Sequence, residues 1–140
     1  MNREDYDRIL AQAGVKPTAV RLLVYRTATA MQGAFSLADM ERALPSADRS
    51  SLFRALVTLS AHHLLHTLDD GSGSQKYCVC TNRGDCHADE YHPHFFCEHC
   101  HRTFCLDEVT IPPVSLPAGF AARESTYVVK GFCADCAAKA

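Results

Sequence analysis

The chain has 140 residues, of which 47% are hydrophobic and 21% charged, and its formal net charge is -2. This composition is typical of one globular domain or two small ones, and the weak net charge argues against a protein that coats nucleic acid by charge alone. No apolar run approaches the ~18 residues that a membrane helix needs, so a cytoplasmic protein without export or membrane insertion is expected. In such a reducing compartment, the eight cysteines are expected to bind metal more often than to form disulfides.

Helices are predicted throughout the first part of the chain. Apolar spacing predicts a helix over residues 3–13, and Thr18 caps a second one. Ser36 begins a third helix with a capping box that uses an aspartate, and this helix stops before Pro45. Asp48 caps a fourth helix. The apolar stripe of that fourth helix consists of Leu52, Ala55, Leu56 and Leu59.

A β-hairpin is predicted next. Residues 64–68 and 75–79 have strand character, and the segment between them is rich in glycine. Helices followed by such a hairpin are typical of a winged helix-turn-helix. The polar residues 81–91 lack periodicity and are predicted to form a linker.

Three strands are predicted beyond the linker. They cover residues 94–97, 102–106 and 123–130, and a proline-rich segment separates the second from the third. The second half of the chain is therefore expected to be a small sheet.

Charge differs between the two halves of the chain. Residues 1–67 contain eight Lys or Arg and six Asp or Glu, whereas residues 68–140 contain six and ten. The balances are therefore +2 and -4. Any contact with DNA is expected to come from the first half.

Two Cys-x2-Cys pairs, about thirty residues apart, stand out in the second half. Each pair can place two thiolates on one tetrahedral metal ion with Zn–S near ~2.3 Å. One pair alone could be a coincidence or a redox motif, but neither has a βαβ context, and two matched pairs around a small sheet favour zinc. Four thiolates leave no open position, which assigns this zinc to folding. The four predicted ligands are Cys97, Cys100, Cys133 and Cys136.

An enzyme is not expected. A zinc-dependent deaminase would need a His-x-Glu and a Pro-Cys-x-x-Cys motif. Residues 87–89 read His-Ala-Asp, and a phenylalanine precedes Cys97, so both motifs are lacking.

A second metal site is suggested by His92 and His94. Two histidines at i and i+2 in an extended segment face the same side, which suits a shared metal ion. The alternative is a histidine-rich polar linker with buried thiols nearby. The thiols close enough in sequence to join the histidines are Cys78, Cys80, Cys86 and Cys105.

Basic residues lie on or beside the predicted helix-turn-helix. In isolation, Lys16, Arg49 and Arg54 could equally form a solvated charged face. Their position favours DNA contact, because residues 49–54 occupy the first turns of the fourth helix. A recognition helix presents side chains to base edges and phosphates from these turns.

Three blocks in the same order resemble the ferric uptake regulator (Fur) superfamily. Residues 14–21, Gly-Val-Lys-Pro-Thr-Ala-Val-Arg, resemble the Gly-x-Lys/Arg-x-Thr-x-x-Arg signature, and residues 48–56 resemble the recognition helix. The His-x-His segment and the two cysteine pairs resemble the metal-binding dimerisation domain. The resemblance covers essentially the whole chain. It implies an α+β fold, with a winged helix-turn-helix domain over 1–80, a linker over 81–91, and a small zinc-bound α/β dimerisation domain over 92–140.

The resemblance also implies a function. Relatives are homodimers that bind AT-rich palindromic operators when loaded with metal, so the chain is expected to be a metal-dependent repressor of metal homeostasis genes. By similarity, Ser51, Phe53 and Arg54 take DNA-contacting positions, and Lys16 takes that of a basic residue in the minor groove. Phe53 replaces the usual tyrosine, which removes a hydroxyl but leaves apolar contact with a thymine methyl possible.

The family's regulatory hinge site is altered in this chain. Its positions hold Ala34, Cys78, His92, His94 and Cys105. By the resemblance, the family has glutamates where this chain has Cys78 and Cys105. The exchange of two hard oxygen ligands for thiols favours a second Zn²⁺ over Fe²⁺ or Mn²⁺. Zinc-sensing relatives use a cysteine shortly before the His-x-His, and both Cys80 and Cys86 fit that role. A redox- or haem-responsive regulator that uses these thiols for sensing is the alternative.

Overall fold

The computed structural model describes residues 2–31, 33–79, 93–106, 109, 112, 114–122 and 127–139. In chain order the elements are α1 Arg3–Gln12, α2 Ala19–Ala30, β1 Phe35–Ser36, α3 Leu37–Ala43, α4 Arg49–Ala61, β2 Leu65–Asp69, β3 Gln75–Val79, β4 His94–Cys97, β5 Thr103–Cys105, β6 Val128–Gly131 and α5 Ala134–Lys139. The predicted α+β fold class is confirmed.

Each of the four predicted helices begins at a polar side chain that caps it. The Thr18 hydroxyl accepts a hydrogen bond from the backbone N–H three residues later, and Asp48 does the same at α4. Ser36 and Asp39 form the predicted capping box at α3. α1 begins at Asn2 with a second capping box, which the sequence reasoning did not identify. These caps satisfy backbone donors that a helix start leaves open.

The first core lies between the helices and a three-stranded antiparallel sheet. The predicted apolar stripe of α4 is fully buried and packs against α2 and β2. The strand order is β1-β3-β2, with Leu65 opposite Val79 in the hairpin. β1 was not predicted; Phe35 pairs with Tyr77 of β3, and their rings stack at 5.9 Å. This arrangement confirms the winged helix-turn-helix.

The second sheet has the order β5-β4-β6, with β4 and β5 antiparallel and β4 and β6 parallel. β4 has the predicted bounds, and β5 is one residue shorter at each end than predicted. β6 extends to Gly131, and residues 123–126 of the predicted strand lie outside the described residues. The short helix α5 was not predicted. A small second core forms around the cysteines, against Phe95 and Phe104.

The predicted linker 81–91 lies outside the described residues, so the domain limits 1–80 and 92–140 stay predictions. None of the described helices is long and apolar enough to cross a membrane.

Candidate metal centres and nucleic-acid interface

The four paired cysteines meet at one end of the second sheet. Cys97 ends β4, Cys100 lies in the turn after it, and Cys133 and Cys136 lie immediately before and within α5. Their sulfur atoms all lie within 4.8 Å of one another, and the Sγ atoms of Cys100 and Cys133 are 3.9 Å apart. A tetrahedral zinc with Zn–S near ~2.3 Å needs sulfur atoms about 3.8 Å apart. Donor type, number and spacing therefore fit a structural Zn²⁺ with closed coordination.

Hydrogen bonds prepare this cluster for a cation. The Cys97 sulfur accepts backbone N–H groups from Cys100 at 3.5 Å and Cys133 at 3.4 Å. Burial raises the pKa of Cys97, but these hydrogen bonds outweigh it and lower the pKa to about 5. Burial and the neighbouring thiols raise the pKa of Cys136 to about 12. Zinc binds thiolates, so any protons that the four cysteines still hold are released when the metal binds.

Arg102 lies against the cysteine cluster. Its guanidinium donates to Cys100 Sγ at 3.3 Å, to Cys133 Sγ at 3.5 Å and to Asp135 at 3.2 Å. The hydrogen bond from Arg102 lowers the pKa of Cys100. A zinc ion with four thiolates has a formal charge of about -2, which this cation partly offsets. The sequence reasoning missed Arg102, although its place two residues after Cys100 was a usable signal.

A second cluster joins the two sheets. Cys78 of β3, His94 of β4 and Cys105 of β5 place their ligand atoms within 4.8 Å of one another. Cys78 Sγ and His94 Nε2 are 3.8 Å apart, and both residues are buried. His94 and Cys105 are direct partners on adjacent strands. The structure thus brings together three of the six residues predicted for the regulatory site.

The other predicted ligands of this site, Cys80, Cys86 and His92, lie outside the described residues. Ala34, which the family resemblance also placed at the hinge site, has no side chain that can bind a metal. Its backbone instead pairs with Thr103 of the second sheet. A four-coordinate metal at this cluster would need one more ligand.

A buried ion pair lies at the same junction. The Asp70 carboxylate accepts hydrogen bonds from Lys76 Nζ at 2.8 Å, Thr103 Oγ1 at 2.5 Å and the Ser72 N–H at 3.0 Å. Burial raises the pKa of Asp70, but the hydrogen bonds outweigh it and hold that pKa well below its usual range. Lys76 Nζ also lies 5.5 Å from the ring centre of Phe96. No sequence motif indicated this group, because Asp70 read as part of a glycine-rich turn.

The first turns of α4 form an exposed polar surface. Arg49 pairs with Glu41 at 3.0 Å, and Phe53 is 48% exposed. The Ser51 hydroxyl donates to Asp48 at 2.6 Å and accepts from Arg54 at 3.4 Å. Four of the five residues predicted to contact DNA therefore lie on one helix end, with Ser51 also serving the cap.

A groove runs between this surface and the start of α2. Thr18, Val20 and Arg21 of the α2 side face Ser51, Phe53 and Arg54 across it. Lys16, the fifth predicted contact, is exposed, and its carbonyl oxygen accepts a hydrogen bond from Arg21 at 3.1 Å. Arg21 was not named as a DNA contact, although the Gly-x-Lys-x-Thr-x-x-Arg motif contains it.

No family model matches this sequence, and no curated protein sequence matches it. Solved structures, in contrast, match over nearly the whole chain. A zinc uptake regulator complexed with zinc and DNA has 23% identity and a TM-score of 0.67, covering 98% of this chain and 93% of that one. The Helicobacter pylori ferric uptake regulator has 16% identity and a TM-score of 0.58, with coverages of 98% and 95%. A Pseudomonas aeruginosa ferric uptake regulator with manganese has 16% identity and a TM-score of 0.61, with coverages of 96% and 99%.

Proposed function

We propose that this chain, which has the fold shared by ferric and zinc uptake regulators, is a Fur-superfamily member and a metal-dependent DNA-binding transcription regulator. One observation supports this most directly: Cys78, His94 and Cys105 converge where the first sheet meets the second. A metal bound there would link two units of the chain: the first sheet with its helices, including α4, and the second sheet with the four-cysteine site. Because four thiolates complete the coordination of the structural zinc, regulation would fall to a metal at the second cluster.

The ligand types favour zinc as the signal. Two thiols and an imidazole suit Zn²⁺ better than Fe²⁺ or Mn²⁺, which favour oxygen ligands more strongly. The fourth ligand would come from the segment that contains Cys80, Cys86 and His92. With zinc bound, the protein would repress metal homeostasis genes in the cytoplasm.

The DNA-contacting surface would be the first turns of α4 with the start of α2. Arg49 and Arg54 would contact phosphates, and Phe53 would contact base edges. Lys16 would reach the minor groove beside the site, with Ser51 at the start of the recognition helix. The partner would be a double-stranded, AT-rich palindromic operator, with two recognition helices about 34 Å apart on one face of the duplex.

A homodimer would supply the second recognition helix. Among the described strands, β6 lies at an edge of the second sheet, and exposed apolar side chains lie along and beside it. Tyr127 is 54% exposed, Val129 40% and Phe132 57%. Exposed apolar side chains grouped at a strand edge favour pairing with another chain. A second copy of this chain fits the symmetry of a palindrome.

Metal would act by fixing the angle between the two units. With the junction fixed, both recognition helices of a dimer would match successive major grooves. We call the arrangement that fits both grooves closed and any other arrangement open. The gain in DNA affinity would be limited by the ratio of the metal affinities of the closed and open arrangements.

The test compares zinc content and DNA binding in wild type, His94→Ala and His99→Ala. His99 is an exposed histidine on the neighbouring turn and serves as the matched control. Elemental analysis of reduced protein should give two zinc ions per chain for wild type and His99→Ala, but one for His94→Ala. The DNA probe is a duplex selected from a random pool by the zinc-loaded wild type. Zinc should strengthen binding to it in wild type and His99→Ala only.

A His94→Ala protein that kept its second zinc and its zinc-dependent binding would refute the assignment of His94. A wild type with a single zinc per chain would refute the regulatory metal site. In that case oxidation-dependent DNA binding would point to thiol sensing instead.

A further inference from the structure

The ion pair of Asp70 and Lys76 is completed by a residue of the other sheet. Both charged side chains belong to the first hairpin, and both are almost fully buried. Thr103 of β5 supplies a further donor to the same carboxylate oxygen that Lys76 contacts. Beside it, the Ala34 N–H donates to the Thr103 carbonyl oxygen at 3.0 Å. Thr103 therefore ties the second sheet to the first through its side chain and its backbone.

The spacing along the strands places this contact next to the second cysteine–histidine cluster. β3 contributes Lys76 to the ion pair and Cys78 to the cluster. In the same way β5 contributes Thr103 and Cys105. Residues two apart on a strand point to the same face and lie about 6.7 Å apart. The ion pair and the cysteine–histidine cluster therefore lie side by side between the two sheets.

β4 follows the same pattern. Phe96, whose ring lies below the Lys76 ammonium, is two residues from His94. Each of the three strands that supplies a ligand atom therefore also supplies a side chain to the contact around Asp70 and Lys76. Moving one of these strands along another would therefore displace both the side chains around Asp70 and the ligand atoms of the cluster.

We propose that the contact of Asp70, Lys76 and Thr103 positions the ligands of the second metal site. This inference rests on the proposed function, because it assumes that Cys78, His94 and Cys105 bind metal. In the arrangement that the metal stabilises, the contact holds β3 against β5, so that the two thiols lie within reach of one ion. Groups that orient metal ligands without touching the metal typically change metal affinity by about 10-fold to 100-fold.

The hydrogen bonds to Asp70 depend on direction and distance, which suits this contact to positioning the metal ligands. A buried carboxylate keeps its charge only while its donors remain in place, and sliding the sheets apart would remove the Thr103 donor from Asp70. Leaving a buried charge short of a partner is strongly unfavourable. Apolar packing alone would tolerate a small shift of β3 along β5, whereas this contact makes such a shift unfavourable.

Thr103→Val tests the proposal with little change of shape, since valine keeps the branched side chain and lacks the hydroxyl. Ser72→Ala is the matched control, because Ser72 bonds to Lys76 within the hairpin and not across the junction. Thr103→Ser keeps a hydroxyl and should restore wild-type behaviour. Each protein is first loaded with one zinc per chain, and the affinity for a second is then measured by competition with a chromophoric chelator.

Thr103→Val should bind the second zinc about 10-fold more weakly than wild type, or weaker still. Its first zinc should resist the chelator as in wild type. Ser72→Ala and Thr103→Ser should stay within about twofold of wild type, which separates positioning from a general loss of stability. An independent variant, Asp70→Asn, should weaken the second site in the same direction.

A Thr103→Val protein with wild-type affinity for the second zinc would overturn the proposal. Equal weakening in Ser72→Ala would also overturn it, since the effect would then not depend on the bond across the junction. If wild type bound no second zinc, the proposed function itself would fail, which is a different result from an unaffected Thr103→Val.

Discussion

Single residues on the proposed DNA-contacting surface make weak contacts that phosphate groups could replace. The ion pair of Arg49 with Glu41 is exposed, and so is the hydrogen bond from Arg54 to Ser51. Exposed ion pairs contribute only about 0–1 kcal/mol. Both arginines can therefore exchange their present partners for DNA at little cost.

Replacing Arg54 by alanine should weaken DNA binding about equally for all sequences, because a phosphate contact does not read bases. In a plot of log affinity against log salt concentration, the slope should become shallower by about one unit. Fluorescence anisotropy over a salt series measures both effects. Arg8→Ala, which removes a positive charge from α1, should leave the slope at its wild-type value. A wild-type slope in Arg54→Ala would rule out this arginine as a phosphate contact.

Asp70 should make the free energy of unfolding depend on acid pH. Its pKa is lower in the folded protein than its usual value of about 3.9. Its contribution is therefore complete above that value and is lost as the pH falls towards the folded pKa. Asp70→Asn should be less stable than wild type by about 3 kcal/mol at pH 6.

The stability difference between wild type and Asp70→Asn should shrink below about pH 4. Urea unfolding at several pH values measures it. Both proteins are compared with one zinc per chain, because Asp70→Asn is also expected to weaken the second site, and acid loss of zinc from the four-cysteine site then affects both. A difference that stayed constant from pH 6 to pH 3 would show that the charge of Asp70 is not responsible.

Sequence spacing could predict some of these residues and not others. The cysteine pairs were predictable because two thiols at i and i+3 in a turn can share one ion. Cys78 and Cys105 could be connected to His94 only by nearness in sequence and by the family resemblance, because each lies on a different strand. The partners of Asp70 could not be predicted, because Thr103 reaches it only after two separate sheets have packed together.

Among secondary-structure elements, the well-predicted ones are those whose signals are local. α3 and α4 have their caps and apolar stripes within a few residues, so their starts agree with prediction. β1 consists of two residues and exists because Tyr77 of β3 lies opposite Phe35. Such a strand has no periodicity of its own to detect. The six-residue α5 likewise begins directly after Cys133 and has little apolar pattern.

Gly33 permits β1 and β5 to approach closely, and its replacement should show this. Its φ is +77°, and a Cβ there would overlap the carbonyl oxygen of Thr103. Gly73 has a similar φ of +88° but open space around it. Alanine at either position is strained by about 1–2 kcal/mol, whereas only Gly33→Ala also pushes the sheets apart.

Gly33→Ala should therefore lose about 1–3 kcal/mol more stability than Gly73→Ala. Urea unfolding at saturating zinc gives both values. Equal losses would mean that backbone strain alone matters and that the close approach adds nothing.

At the scale of the whole molecule, loss of a ligand should have different consequences at the four-cysteine site and at the proposed second site. Cys133→Ser should release the structural zinc, unfold the second sheet and abolish the dimer, because zinc binding and folding are coupled in small sites. Cys105→Ser should lose only the proposed second zinc and remain a folded dimer. Size-exclusion chromatography with zinc analysis distinguishes them. A zinc-free Cys133→Ser that still eluted as a stable dimer would contradict a structural role for the four-cysteine site.

The parallel pairing of β4 with β6 has a consequence for the order in which the protein acquires its metals. Cys97 and Cys133 are 36 residues apart, and closing so long a loop is entropically unfavourable until other contacts form. Zinc on the four thiolates closes that loop in one event and orders β4, which contains His94. If the proposed function holds, a newly made chain would have to take up one zinc to fold before it could respond to another. It would report zinc only beyond the amount that its own synthesis consumes, and chains made under severe shortage would never become sensors.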